Sequence, residues 1–331
     1  MKKSLLLSAI VAMGLMTGCG TSNSKETNSD TMQNDSSVVY FTSEISPEAL
    51  VKIYKALGKE ATGRVAVKIS TGEGGNNHYL KPELIKLLVD EVKGTIVECN
   101  TAYAGSRNTT EAHWKTIKEH GFLDIAKVDI MDEEGDMQIP VRDTTHMKYN
   151  IVGSHMVNYD FMINLAHFKG HQMGGFGGVL KNQSIGVASS KGKAYIHSAG
   201  VTDSPDEVWS KLAAQDDFLE SMAAAAQSVH DYFKGNIIYI NVMNNMSIDC
   251  DCNGSPAAPC LKDMGIMASL DPVALDQACL DMVFGHNDNK EGDDNQPLVN
   301  RIKEMHGTHT VDHAAKIGLG KKEYKLVRLD K

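Results

Sequence analysis

The sequence predicts an α/β fold, in which a largely parallel sheet carries helices on both faces within a single compact domain. Short apolar runs alternate with amphipathic segments of helical length, a rhythm typical of parallel sheets flanked by helices. The 331 residues are 42% hydrophobic and 23% charged, which is ordinary for a globular protein and long enough to bury a large core. No internal repeat and no linker is evident after residue 38.

The chain begins with a segment that resembles a bacterial lipoprotein signal peptide. A basic start, Met1-Lys2-Lys3, precedes a short apolar run and the lipobox-like Leu15-Met16-Thr17-Gly18-Cys19. The apolar run is too short for a stable membrane span. We therefore expect residues 1–18 to be a signal peptide and Cys19 to carry the lipid that anchors the protein to a membrane. The alternative is a plain secretory signal with an incidental cysteine.

Residues 19–38 are rich in Ser, Asn, Thr and Asp, a composition that predicts a disordered tether. The folded part, residues 39–331, is accordingly expected outside the cytoplasm as a membrane-anchored lipoprotein. The formal net charge is −9 and no dense basic run occurs, which argues against a nucleic-acid partner.

The first half of the folded part alternates strands with helices. Apolar runs predict strands at 38–41, 64–69 and 95–99, and helical spacing predicts helices at 46–57, 81–92 and 109–120. The second and third strands lead into polar loops at 71–78 and 100–107, and ligands of α/β sheets bind where such strands end. Within these loops, His78 and Arg107 are interpreted as solvated residues.

The second half continues in the same way. Strands are predicted at 161–166, 237–242, 265–269 and 324–329, and a long helical pattern with an Ala-rich centre covers 206–233. Asp271 and Pro272 have the residue types of a helix start, as N-cap and first helical residue, for a helix that reaches Val283. Asp276 lies on the inner side of this helix, where it can contact a site.

The stretch from His167 to His197 concentrates the chemistry of the chain. Three histidines and two lysines flank the glycine-rich turn 174–178, namely His167, His171, His197, Lys169 and Lys181. Glycines let a ligand approach the backbone closely. His167 and His171 share a face on a helix or on a strand, and metals are chelated by such pairs. A lysine can neutralise an anion, and a desolvated one can act as a base or covalent anchor.

Cys250 and Cys252 flank Asp251, and the pair has two interpretations. Two thiolates can hold a soft metal or part of an iron–sulfur cluster. Alternatively, one of them forms a disulfide with Cys260 in an oxidising compartment. A bond directly between Cys250 and Cys252 closes a very tight ring, so we rank it last. Cys99 and Cys279 lie in apolar patterns and are predicted to be core residues.

These motifs resemble the DUF362 family of uncharacterised Fe–S centre proteins. The resemblance lies in HFKGH, GFGG and LKN between His167 and Asn182, in Gly192-Lys193 and His197, and in DCDC followed by GIMASLDPVALDQAC up to Cys279. It spans residues 39–331. Many members carry a ferredoxin insert with CxxCxxC cysteines, which this chain lacks. The resemblance implies a metal or iron–sulfur centre.

The spacing of His171, Lys181 and His197 around GFGG also resembles lactate racemases that use a nickel-pincer nucleotide. That resemblance implies Lys181 as the cofactor anchor, His197 as a metal ligand and His171 as the proton-transfer group. The racemases have an arginine where this chain has Leu180.

Together these patterns predict one site. Its catalytic residues would be His171, Lys181 and Lys169, its cofactor-binding residues Gly177, Gly178 and Asn182, and its metal ligands His167, His197, Cys250 and Cys252. An iron–sulfur cluster or a transition metal would serve a redox or isomerising enzyme that works with a small-molecule ligand or a redox partner. The first alternative is a non-catalytic lipoprotein that binds a metal or a small anion. The second is that the cysteines staple the fold and the histidines are structural.

Overall fold

The structure, a computed structural model, describes residues 36–286 and 290–330. Within these ranges the chain forms twelve strands: Ser37–Thr42 (β1), Val65–Lys68 (β2), Thr95–Glu98 (β3), Val128–Ile130 (β4), Asp136–Pro140 (β5), Tyr149–Gly153 (β6), Phe161–His167 (β7), Lys169–His171 (β8), Gly175–Gly177 (β9), Ile237–Met243 (β10), Gly265–Ser269 (β11) and Tyr324–Arg328 (β12). It also forms nine α-helices: Pro47–Ala56 (α1), Pro82–Glu91 (α2), Thr110–Glu119 (α3), Val179–Ser184 (α4), Ser190–His197 (α5), Gln215–Tyr232 (α6), Pro272–Gly285 (α7), Gln296–Glu304 (α8) and Thr308–Lys316 (α9).

Eight strands form the central sheet, in the order β12-β1-β11-β10-β7-β2-β3-β4. Only β11 is antiparallel to its neighbours, β1 and β10, whereas the other adjacent pairs in this sheet are parallel. The predicted largely parallel sheet is thus confirmed. Because β2, β3 and β7 run in the same direction, their last residues meet at one edge of the sheet.

Helices cover both faces of the sheet, as the sequence predicted. One apolar cluster joins α1, α2 and α3 to residues such as Ile163 and Leu165 of β7. A second cluster joins α4, α6, α7, α8 and α9 to Met162 and Ala166, which alternate with them along the same strand. A strand buried on both faces is typical of a parallel sheet. The described part of the chain from Ser36 onward forms one compact unit.

Two of the predicted boundaries are wrong. The helix predicted from Asp206 begins only at Gln215. Before it, the Ser204 N–H donates to Thr202 Oγ1 and Ser210 Oγ donates to the Glu207 carbonyl, and such bonds between side chains and backbone compete with a helix. The first strand, predicted from Val38, begins at Ser37, which was assigned to the tether and pairs with Tyr324 of β12.

The predicted signal peptide and most of the predicted tether lie outside the described residues. Among the helices that are described, none has the length and apolar character that a membrane crossing requires.

Candidate functional site

A pocket of about 290 Å³ lies at the carboxyl ends of three parallel strands. Lys68 ends β2, Glu98 ends β3 and His167 ends β7, and all three residues line the pocket. Every residue predicted for the site except Cys250 also lines it: His167, Lys169, His171, Gly177, Gly178, Lys181, Asn182, His197 and Cys252. The structure therefore gathers the predicted residues around one cavity, although their contacts differ in kind.

The glycine-rich turn forms a small hairpin, β8–β9, that leads into α4. Gly175 has φ +77°, a left-handed conformation that favours glycine. At Gly178 a Cβ would collide with the carboxylate of Asp276. That carboxylate accepts the backbone N–H groups of Val179 and Leu180, each at 3.0 Å. Burial raises the pKa of Asp276 to about 6. Asp276 thus holds the first turn of the helix that carries Lys181.

Asp251 anchors two of the predicted site residues. Its carboxylate lies 2.8 Å from His167 Nδ1 and 2.7 Å from Lys169 Nζ, and all three side chains are buried. Burial alone would raise the pKa of Asp251, but His167 and Lys169 keep it well below its usual range. His167 Nε2 lies 2.6 Å from the Asn244 carbonyl. Both nitrogens of His167 therefore have oxygen partners, and its predicted role as a metal ligand is not supported.

Cys250 and Cys252 are joined to each other by a disulfide, so our ranking of this pairing as the last was wrong. The reason lies in the residue between them. Asp251 binds His167 and Lys169, which leaves both cysteine side chains on one side, with Cα atoms 5.1 Å apart. Disulfides commonly span 4.4–6.8 Å between Cα atoms. Cys260, the other predicted partner, is a free thiol that contacts the Met246 carbonyl at 3.4 Å.

His171 lies beside this disulfide with a defined hydrogen-bonding pattern. Its Nδ1 accepts the backbone N–H groups of Met173 at 3.1 Å and Gly174 at 2.8 Å. Burial, with help from Lys181 and other nearby cations, holds the pKa of His171 well below 6.5, so the ring is neutral. The single ring hydrogen is then on Nε2, which lies 3.9 Å from Cys252 Sγ. His171 is thus oriented to donate to that sulfur.

His197 presents the opposite nitrogen to the pocket. Its Nδ1 donates to the Lys193 carbonyl at 2.7 Å, and its ring stacks on Phe218 with centroids 4.8 Å apart. Burial lowers the pKa of His197 to about 4. Its Nε2 therefore offers a lone pair, as a metal ligand or hydrogen-bond acceptor does. Among the described residues, however, His197 belongs to no set of three ligand atoms within 4.8 Å of one another.

Lys181 differs from the other cations of the pocket, because no hydrogen bond or ion pair joins its amine to another described residue. Burial is the main reason that its pKa falls to about 7, and Lys169 lowers it further. Close to neutral pH, the amine therefore exchanges its proton readily. This is the behaviour predicted for a catalytic lysine.

Asn182 connects strands rather than facing an open site. Its side chain donates to the Lys68 carbonyl at 3.0 Å and to Asn164 Oδ1 at 2.7 Å, and it accepts from Lys68 Nζ at 3.2 Å. Through these hydrogen bonds, the Asn182 side-chain amide holds α4 against β2 and β7 of the sheet. Of the predicted cofactor-binding residues, Gly177 and Gly178 present backbone to the pocket, whereas Asn182 mainly positions its wall.

A buried ion network that the sequence analysis missed forms another wall. Glu98 lies 2.9 Å from Lys68 Nζ and 3.3 Å from Arg107 Nη1, and Arg107 also lies 3.2 Å from Glu73. Lys68 and Arg107 lower the pKa of Glu98 to about 2 against the opposing effect of burial. Arg107 is thus buried and paired, not solvated. The sequence signal for this network was that Lys68 and Glu98 are the last residues of strands that are otherwise mostly apolar.

Two solved structures resemble this chain distantly. The lactate racemase apoprotein from Thermoanaerobacterium thermosaccharolyticum has 18% sequence identity and a TM-score of 0.37, covering 61% of this chain. A protein from Thermotoga maritima has 11% identity and a TM-score of 0.40, covering 82% of this chain. The chain spans 50% and 58% of the length of these two proteins. Likeness at this level does not extend to function.

Comparison with curated proteins finds no match. The family described as "Domain of unknown function (DUF362)" matches residues 65–281, which hold the pocket, the disulfide and most of the sheet. This match covers well over half of the sequence, and the chain therefore belongs to the DUF362 family.

Proposed function

We propose that the pocket binds a small organic anion that carries a thiol or a disulfide, and exchanges two electrons with it through Cys250 and Cys252. The observation that carries the proposal is the disulfide itself. Cys252 lines the pocket and is partly exposed, whereas Cys250 is 1% exposed. A ligand can therefore reach one sulfur of the pair and not the other.

The charge of the pocket supports an anionic ligand. Five cations line it, and they are Lys68, Arg107, Lys169, Lys181 and Lys193. Glu98 pairs with Lys68 and Arg107, and Asp251 pairs with Lys169. Lys193 is attracted by the nearby Asp132. Lys181 has no such acidic partner among the described residues, so its ammonium can pair with a carboxylate or thiolate of the ligand. A partly buried charge is stabilised by an opposite charge beside it.

The exchange follows the usual thiol–disulfide chemistry. A ligand thiolate attacks Cys252 Sγ, the bond between the cysteines breaks, and Cys250 leaves as a thiolate that takes up a proton. A second ligand thiolate attacks the ligand sulfur of the mixed disulfide and releases Cys252. Two thiols thus become one disulfide, and the cysteine pair receives the two electrons. His171 Nε2–H lies 3.9 Å from Cys252 Sγ and stabilises the Cys252 thiolate when it leaves in the second step.

The proposal also includes the predicted location. A lipoprotein held by Cys19 outside the cytoplasmic membrane would work in an oxidising compartment, where disulfides persist. A redox partner would then return the pair to its oxidised form. The non-catalytic alternative, a lipoprotein that only captures an anion, keeps the same pocket and lacks turnover.

A metal centre is the second candidate, favoured by one observation. The two sulfurs and one nitrogen of His171 lie within 4.8 Å of one another, and an S₂N set suits zinc or copper(I) once the disulfide is reduced. The fit is incomplete, because a metal on Nε2 would require a hydrogen on Nδ1, which already faces two N–H donors. An iron–sulfur cluster fits less well, since no described ligand set contains more than two cysteines.

The experiment combines a redox titration with metal analysis. The purified protein is equilibrated with glutathione buffers, and its free thiols are counted at each potential. We expect two thiols to appear together in the wild type and in Cys260→Ser, which serves as the matched control. Oxidation of anionic thiols should be lost in Cys252→Ser. Full activity of that variant would refute the proposal.

The metal arm of the experiment uses the reduced protein. One equivalent of zinc that disappears in His171→Ala would favour the metal centre instead. Anion binding without turnover in any variant would favour the binding lipoprotein.

A further inference from the structure

A second cluster of metal-binding side chains lies between α6 and α9, among residues that do not line the pocket. His309 and His313 are four residues apart on α9 and share one face of that helix. Glu220 of α6 faces both of them. One ligand atom from each of the three side chains lies within 4.8 Å of the other two.

The distances suit a zinc ion. Glu220 Oε1 lies 3.1 Å from His309 Nε2 and 3.2 Å from His313 Nδ1. In a tetrahedral site with metal–ligand bonds of about 2.0–2.2 Å, neighbouring ligand atoms are roughly 3.3–3.5 Å apart. The two distances from Glu220 are therefore within a few tenths of an ångström of those in a zinc site, and the two imidazole nitrogens lie within 4.8 Å of each other.

The hydrogen-bonding of His313 gives an independent reason to place a cation here. The ring is 4% exposed, and its Nε2 lies 2.7 Å from Asp143 Oδ2. Because a carboxylate can only accept, Nε2 carries the hydrogen, and a neutral ring then has a lone pair on Nδ1. Nδ1 is buried and has no hydrogen-bond partner, yet it faces the Glu220 carboxylate. Two electron-rich atoms face each other, and a cation between them removes the repulsion.

The surrounding side chains orient the ligands as metal sites require. Asp143 fixes the ring of His313, as carboxylates commonly do for zinc-bound histidines. His146 Nε2 lies 2.8 Å from Glu220 Oε2, which leaves Oε1 for the two other histidines.

We propose that Glu220, His309 and His313 bind a zinc ion that clamps α9 onto α6. Two imidazole nitrogens and one carboxylate oxygen are a common zinc donor set with a fourth position left for water. The His309 side chain is 34% exposed and borders a surface cavity, which provides the path for the ion. Since α6 also packs against α4 and α5, the clamp would brace the helices that carry Lys181 and His197.

The test uses protein with Cys250→Ser and Cys252→Ser, so that the pocket thiols do not compete for zinc. This parent, stripped with a chelator, is titrated with zinc chloride by calorimetry, and its metal content is measured after dialysis. We expect one equivalent to bind and to raise the melting temperature. His309→Asn should remove this binding and the thermal shift. Asp143→Asn should weaken binding about 10–100-fold while the site remains.

The control is His306→Asn, which removes an imidazole from the same surface. His306 is exposed and lies 2.7 Å from Asp216 rather than from Glu220. The His306→Asn variant should therefore bind zinc with the same stoichiometry and affinity as the parent. Ring removal at the buried His313 risks unfolding, so the partly exposed His309 carries the test. Equal zinc binding by His309→Asn and His306→Asn would overturn the proposal. A parent protein that binds no zinc would also overturn the proposal. A proton between Glu220 and His313 Nδ1 would then account for their close approach.

Discussion

Replacing Lys181 with methionine should stabilise the protein near neutral pH and lose that advantage as the pH rises. Lys181 sits in the pocket wall with no hydrogen bond or ion pair to another described residue, and its pKa is lowered from 10.5 to about 7, chiefly by burial. Methionine has a similar length and no charge to desolvate. The substitution therefore removes the cost of placing an ammonium there and keeps most of the packing.

The magnitude follows from proton linkage. Between pH 7 and pH 10.5 the unfolded chain holds a proton at this position that the folded protein has released, so wild-type stability rises with pH. Each pH unit in this window is worth about 1.36 kcal/mol, and below pH 7 the cost levels off on the order of 5 kcal/mol. The advantage of Lys181→Met should therefore be largest below pH 7 and should shrink by about 2 kcal/mol between pH 7 and pH 9.

Urea unfolding at pH 6, 7, 8 and 9 measures the free energy of unfolding of both proteins. Other titrating groups are common to both, so the difference isolates Lys181. Lys52→Met, at an exposed lysine of α1, gives the baseline effect of losing an amine. A Lys181→Met difference that stays constant from pH 7 to pH 9 would show that this lysine is not desolvated, and the charge argument for the pocket would fail.

Other perturbations test the rest of the site. Binding of a small organic anion should weaken as the pH rises through about 7 where Lys181 loses its proton, and calorimetry of Lys181→Arg should show no such decline. Asp251→Asn should lower the free energy of unfolding by about 3–5 kcal/mol, because it breaks buried ion pairs, and a small change in the urea midpoint would contradict this. Gly178→Ala should cost about 1–3 kcal/mol because its Cβ collides with Asp276, whereas Gly177→Ala makes only ordinary contacts and is the matched control. The pKa of Glu98 is lowered from 4.5 to about 2, so its ionised form stabilises the folded protein above pH 4.5. In acid unfolding experiments the wild type should lose this stability as the pH falls from 4.5 towards 2. Glu98→Gln should lose less stability over the same pH range.

The fold could be predicted well because its signals are local. The β-branched run that became β10 and the proline that starts α7 are visible within a few residues of sequence. The location of the pocket followed from a general property of parallel sheets, the convergence of the strand ends. His171, Lys181 and His197 were found for the same reason, since they lie close to one glycine-rich turn.

The contacts within the site could not be predicted because they join distant parts of the chain. Asp251 meets Lys169 across 82 positions of sequence, and that contact decides how the cysteines on either side of it are directed. Arg107 was interpreted as solvated because its partners, Glu73 and Glu98, approach it only after the sheet forms. Spacing rules describe which side chains share a face, but they do not show which nitrogen of a histidine is already used.

The direction of β1 has a consequence for how the protein can be held. β1 runs parallel to β7 and to the strands that end at the pocket, so its first residue, Ser37, lies at the edge of the sheet opposite the pocket. A surface coupled to Ser37 itself would therefore hold the domain by the side that lies away from the strand ends lining the pocket, and the residues of the pocket would take no part in the attachment.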